Sequence, residues 1–261
     1  MTGQRNILIW KDREHWKPQI RSLMDDVITQ SVIDAVKASP PEYCHYEDLD
    51  WLQKSFENAG ETLQVSAVDL LAKRLATAYS HIRVYHACRP IQVEDFYENG
   101  FIAATPVILN DLAEKYFLGK LGVTKELLNR AIEVVEVQRR GGSVFFSLDD
   151  RYITRRCPSY LNYGSEYLAV VAHELQHLTG NNIPELLKLI GKPTIFVIDL
   201  PIENITTRRR ELAGNLFEGL FESYVRPAIE VLEIDFTLSI SGNVSPNLIS
   251  SHYHPEINEN G

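Results

Sequence analysis

The chain has 261 residues, 44% hydrophobic and 23% charged, an ordinary globular composition with material for one generous core or two small ones. Its formal net charge of −9 argues against a protein that coats nucleic acid, and the one dense basic run, Arg208-Arg209-Arg210, has the pattern of a solvated helix face. The longest apolar runs, such as 134–137 and 194–202, fall far short of a membrane span, the N-terminus lacks a signal-peptide profile, and three cysteines without a CxxC pair fit a reducing compartment; the expectation is a cytoplasmic protein without a membrane partner.

After a short apolar opening, Ile7-Leu8-Ile9-Trp10, helix-period stretches at 18–37 and 63–79 predict a mainly helical region over residues 1–80. The ASPPEYCHYED segment (38–48) breaks it, because two prolines deny a helix its donors. Beyond residue 80, β-like runs fall at 82–89, 143–148, 194–200 and 235–241, the last alternating Phe236, Leu238 and Ile240 against polar neighbours. Helical patterns lie between and after them at 92–99, 108–119, 124–137, 165–178 and 206–224. The chain therefore reads as α+β, a helical part over 1–80 leading into a mixed domain over 81–261.

Within the 165–178 pattern, residues 173–177 read HELQH. Histidines at i and i+4 share a helix face and can hold one zinc ion, with the intervening Glu174 as base on a metal-bound water. Leu168, Val171, Leu175 and Leu178 form an apolar stripe, and His173 and His177 point almost opposite to it, a placement that suits a metal cleft and a solvated face alike. A catalytic zinc needs a third protein ligand; Glu211 in RRRELAGNLFEG is the best candidate, ahead of Asp199, Glu203 and Glu218. One reading is thus a zinc-dependent metallopeptidase with His173, His177 and Glu211 as ligands.

A second constellation comprises RVYHACRPIQVEDFYENGF (83–101), GGSVFFSLDDRYITRRC (141–157) and YLNYGSEYL (160–168). Taken in this order, the blocks resemble the ADP-ribosyltransferase superfamily, as a divergent bacterial member. Tyr85-His86-Ala87-Cys88-Arg89 stands at the family's His-Gly-Thr type strand, with Ala87 where the family has Gly, and the following helix closes on Gly100-Phe101. Ser143–Ser147 stands at the strand that stacks an aromatic ring on nicotinamide, with Phe145 in place of the usual Tyr. Residues 240–257 look like the closing strand and loop, with Asn247 where the family carries an acid. The resemblance spans roughly residues 80–257 in short blocks.

The resemblance implies a mixed β core with flanking helices and a cleft for NAD between strands 82–89 and 143–148. It implies cleavage of NAD at the nicotinamide–ribose bond and transfer of ADP-ribose to an acceptor macromolecule, as in a bacterial toxin or defence effector with an antitoxin or regulatory partner. His86, Arg89, Phe145 and Ser147 would bind NAD; Glu166, with Glu203 as second choice, would act with His86 in catalysis, stabilising the cation that forms as the glycosidic bond lengthens. The departures at Ala87, Phe145 and Asn247 motivate a third reading, an inactive NAD-binding or regulatory protein on the same scaffold. Simpler roles stand beside each residue: Arg89 pairing with Asp149 or Asp150, Phe145 and Phe146 as core aromatics, Glu166 as an acid at a helix N-terminus. On the helical wheel Glu166, His173 and His177 fall on one face, while His252 and His254 are expected to be exposed near the polar C-terminus.

Overall fold

The computed structural model describes residues 6–135, 142–227 and 234–256, with only the backbone described at Thr206 and Thr207. In chain order the first elements are β1 (Ile7–Leu8), α1 (Arg13–Leu23), α2 (Gln30–Ala38), α3 (Asp50–Asn58), α4 (Ala67–Ala78) and β2 (His81–Cys88). Then come α5 (Glu94–Asn99), α6 (Pro106–Phe117), α7 (Lys125–Val134), β3 (Ser143–Ser147), α8 (Asp150–Arg156), α9 (Ser159–Tyr163), α10 (Glu166–Thr179) and α11 (Glu185–Lys188). The last are β4 (Thr194–Pro201), α12 (Arg209–Val225), β5 (Thr237–Ser241) and β6 (Ile249–Tyr253). The chain is α+β, as its patterning predicts. Residues 136, 137 and 257, where two of the sequence expectations end, lie outside the described residues.

Contacts divide the chain into two units, one of Met1–Arg83 with Leu200–Glu233 and one of Val84–Asp199 with Ile234–Gly261. The helical unit thus takes back α12, which the simple division at residue 80 assigns to the second region. The reason lies in α12 itself: Leu212, Ala213, Leu216, Phe217, Leu220 and Phe221 are all buried, so the helix is apolar on most sides and needs α4, α1 and α2 packed around it. The 18–37 stretch is two helices rather than one, because the Thr29 hydroxyl accepts the Val32 N–H and starts α2 afresh. The basic run is spent inside this unit: Arg208 pairs with Glu211, Arg210 with Asp69, and Arg209 donates to the Ile202 carbonyl.

In the second unit the sheet order is β5-β3-β2-β4-β6, with β1 parallel to the first residues of β2 in the helical unit. β3 and β5 pair antiparallel from Ser143↔Ser241 to Ser147↔Thr237, and β6 pairs antiparallel with β4 across a register shift at Val197/Ile198. β4 is buried from Thr194 to Leu200, as its near-continuous apolar run requires for a strand in the sheet interior. Tyr85 and Ala87 of β2 join Ile195 and Val197 of β4 in a cluster closed by Ile153 and Leu161. A larger core forms among α6, α7, α10 and α11, where Phe117, Leu128, Val171, Leu175 and Ile183 are buried together. α10 therefore buries the stripe read from its sequence and turns His173 and His177 outward, where both are exposed.

Candidate functional site

β2 and β3 pair at Tyr85↔Ser147, and a cavity of about 570 Å³ is lined by residues 85–90 and 143–147. Its volume is that of a small-molecule site. Next to that pairing, a side chain bridges the two strands: the His86 Nδ1–H donates to the Phe145 carbonyl at 2.8 Å. A carbonyl only accepts, so the bond places the proton on Nδ1 and leaves Nε2 as an acceptor in the neutral ring. Burial pushes the imidazole below its ordinary pKa, against a smaller opposing effect of that hydrogen bond. The ring packs edge-on against Phe101 and Phe146, at centroid distances of 4.8 and 5.8 Å.

Phe146 is 2% exposed and Phe145 54%, because successive strand residues point to opposite faces. Both residues line the cavity, Phe146 as a buried ring beside His86 and Phe145 with much of its ring free. Ser147 also lines the cavity, but its hydroxyl is committed to the turn into α8, donating to the Asp149 carbonyl and accepting the Asp149 N–H. The Asp149 carboxylate caps α8 through the Arg151 N–H and pairs with the Arg151 guanidinium, and Asp150 accepts the Tyr253 hydroxyl at 2.6 Å.

A further part of the lining comes from α9 and the start of α10. Gly164 ends α9, the Ser165 hydroxyl accepts the Leu168 N–H to cap α10, and Glu166 is the first residue of that helix. The first-turn amides of a helix favour a carboxylate in that position. Glu166 lines the cavity, and the Tyr160 hydroxyl, also on the wall, lies 3.5 Å from its Oε2. Tyr163 and Tyr167 add rings from these two helices and Tyr116 adds one from α6; burial raises the phenol of Tyr116 and pushes that of Tyr167 up to about 12, so both are neutral at physiological pH. Cys88, on the β2 wall, is likewise a neutral thiol, its pKa raised by burial to about 12.

His86, Arg89, Phe145, Ser147 and Glu166 therefore border one cavity, although up to 80 positions separate them in the chain. Tyr160 and Tyr163 escaped the sequence reading; their signal is the aromatic pair in YLNYGSE, three residues apart on α9 beside the glycine turn. Arg89 makes no pairing with Asp149 or Asp150; its guanidinium donates instead to the carbonyls of Leu161, Lys188, Ile190 and Gly191. Glu203 is exposed in the helical unit, in the turn after β4, and does not line the cavity. Asn247 lies exposed in the short turn before β6. Of the two histidines expected to be exposed, His254 is exposed and meets the Pro193 carbonyl, whereas His252 is half-buried against the Tyr97 hydroxyl.

The HELQH side chains occupy the same helix as Glu166 but another environment. His173 packs edge-on to Tyr163, and neither histidine lines the cavity. Glu211 belongs to the helical unit and is bound to Arg208 at 2.5 Å. Among the described residues no group of three His, Cys, Asp or Glu side chains comes together to hold a metal ion. No helix of the described residues is long and apolar enough to cross a membrane.

No family model matches the chain, and neither a curated protein nor a solved structure matches it at a significant level.

Proposed function

We propose that the second unit is an NAD-cleaving domain of ADP-ribosyltransferase type. The observation that carries the reading is the single cavity bordered by His86, Phe145 and Glu166, three residue types drawn from three separate sequence blocks. Phe145 offers a partly free ring for the nicotinamide, and a pyridinium is attracted to an aromatic face. His86, neutral with Nε2 as acceptor, takes a hydrogen bond from a hydroxyl of the nicotinamide-side ribose. Glu166, oriented beside Tyr160, stabilises the positive charge that grows on the ribose as the glycosidic bond lengthens and its electron pair leaves with nicotinamide. Water or an acceptor group then attacks the ribose carbon and yields a proton, giving free or transferred ADP-ribose. The acceptor and a bacterial toxin or defence role belong to the same proposal.

The test is nicotinamide release from NAD by the purified chain, in the presence and absence of a chelator. Turnover that withstands the chelator and disappears in Glu166→Gln, with the unfolding midpoint unchanged, is the expected result. Absence of turnover with retained NAD binding leaves a binding or regulatory protein, and absence of both overturns the reading.

A further inference from the structure

Arg89 lines the proposed NAD cavity, yet its guanidinium is turned to the protein. Nε donates to the Ile190 carbonyl at 2.9 Å, Nη1 to Leu161 at 2.9 Å, and Nη2 to Lys188 at 2.5 Å and Gly191 at 3.2 Å. Four of the five N–H donors of a guanidinium are thereby taken by backbone carbonyls. These carbonyls come from two segments far apart in sequence. Leu161 sits in the middle of α9, five residues before Glu166, while Lys188, Ile190 and Gly191 form the end of α11 and the turn before β4. One side chain at the end of β2 thus fastens two of the cavity's other walls, since Tyr160 and Glu166 lie on one segment and Leu187 and Ile190 on the other.

The two glycines of these segments are shaped to the same residue. Gly164, at φ +79°, ends α9 with its N–H on the Tyr160 carbonyl; a Cβ there would lie 3.1 Å from the Cβ of Arg89 and 3.3 Å from its backbone nitrogen. Gly191, at φ +59°, presses on the backbone of the Arg89-Pro90 pair, where a Cβ would approach the two carbonyl oxygens to 2.5 and 2.3 Å. Only glycine combines those backbone angles with that proximity. The Gly of YGSE, the Gly of IGKP and the Arg-Pro of YHACRP are therefore parts of one packing unit.

We infer that Arg89 is a positioning residue for Glu166, clamping the α9–α10 turn against the end of β2 rather than gripping the NAD pyrophosphate. The inference rests on the proposed role of Glu166 for its catalytic consequence, but the clamp itself is independent of that role. A lysine cannot replace it: three N–H donors on a flexible stem do not match four carbonyls spread around a planar fork.

The test compares Arg89→Lys with the wild-type chain in two measurements. In native-state hydrogen exchange, the amides of residues 161–168 exchange at least about tenfold faster in Arg89→Lys while those of α12 stay unchanged. In nicotinamide release, kcat falls about tenfold to hundredfold with KM within about twofold, and by the same factor for NAD as for nicotinamide riboside, because a shifted carboxylate handicaps both. Gly164→Ala, which keeps the arginine but presses a methyl group between the turn and the Arg89 stem, reproduces the kcat loss and serves as the second variant should Arg89→Lys fail to fold. A KM increase confined to NAD, with the riboside unaffected, overturns the inference in favour of pyrophosphate binding; unchanged exchange at 161–168 overturns the clamp. If the wild-type chain turns over neither substrate, the proposed activity fails, and the exchange measurement still decides the clamp.

Discussion

The two ends of α10 place titratable side chains on one helix face, a carboxylate at the start and two imidazoles toward the end, and differ in what surrounds them. At its first residue Glu166 borders the cavity within reach of the Tyr160 hydroxyl, in a lining it shares with His86 and Phe145. Along the same face His173 and His177 are exposed, with no third ligand-type residue assembled beside them among the described residues. The comparison shows that a motif in the letters is a statement about one helix face, whereas a site needs walls from several elements. HELQH satisfies its own spacing, but among the described residues no third ligand-type side chain joins it; Glu166 has no motif of its own, meets the Tyr160 hydroxyl of α9 and shares a cavity lining with β2 and β3.

The sharpest way to break this comparison is to neutralise the two ends separately. If the proposed reaction holds, Glu166→Gln removes the charge assigned to the forming cation and should lower nicotinamide release about 10²- to 10³-fold, measured at saturating NAD. If it does not, the carboxylate end of α10 is no more functional than the histidine end. Phe145→Ala should raise KM for NAD roughly three- to tenfold with little change in thermal stability, since the ring is 54% exposed and its loss opens no core cavity. A large drop in unfolding midpoint would instead place Phe145 in the core.

A pH experiment sharpens the strand wall. The folded state holds His86 below its ordinary value of 6.5, so below that pH the unfolded chain binds a proton that the folded chain resists. Stability should therefore fall as pH drops beneath 6.5 and recover above it, and His86→Gln should flatten part of that fall. Equal unfolding midpoints for wild type and variant relative to their own pH 7.5 values, followed down to pH 5.5, would show that His86 is not held neutral. The smallest effect is expected at the histidine end: the double substitution His173→Ala with His177→Ala should change nicotinamide release by less than about twofold and leave the metal content of the purified protein unaltered. A stoichiometric zinc lost in that variant would reverse the ranking of the two ends.

Much of the second unit was legible because its elements carry strong local signals. The α10 stripe of Leu168, Val171 and Leu175 packs as its period demands, and the helical patterns beginning at 108 and 124 fall on α6 and α7. Phe145 and Phe146 differ in exposure as strand alternation predicts, although both border the cavity. Less legible were the short helices α8, α9 and α11, which are too brief to show a period; α9 nevertheless supplies Tyr160 and Tyr163. The role of Arg89 was invisible for a different reason: its four partners are backbone carbonyls, and a carbonyl has no residue identity to read.

Local chemistry along the chain determined the α+β class, most element positions, and the set of residues worth watching, because periodicity, caps and prolines act within a few residues. Only the tertiary structure decided which of them meet. Closure of α12 onto the helical unit, the side-chain bridge from His86 to β3, and the seating of the α9–α10 turn on Arg89 are long-range contacts. They depend on how apolar faces and buried donors find satisfaction across the fold, which no short stretch of sequence specifies.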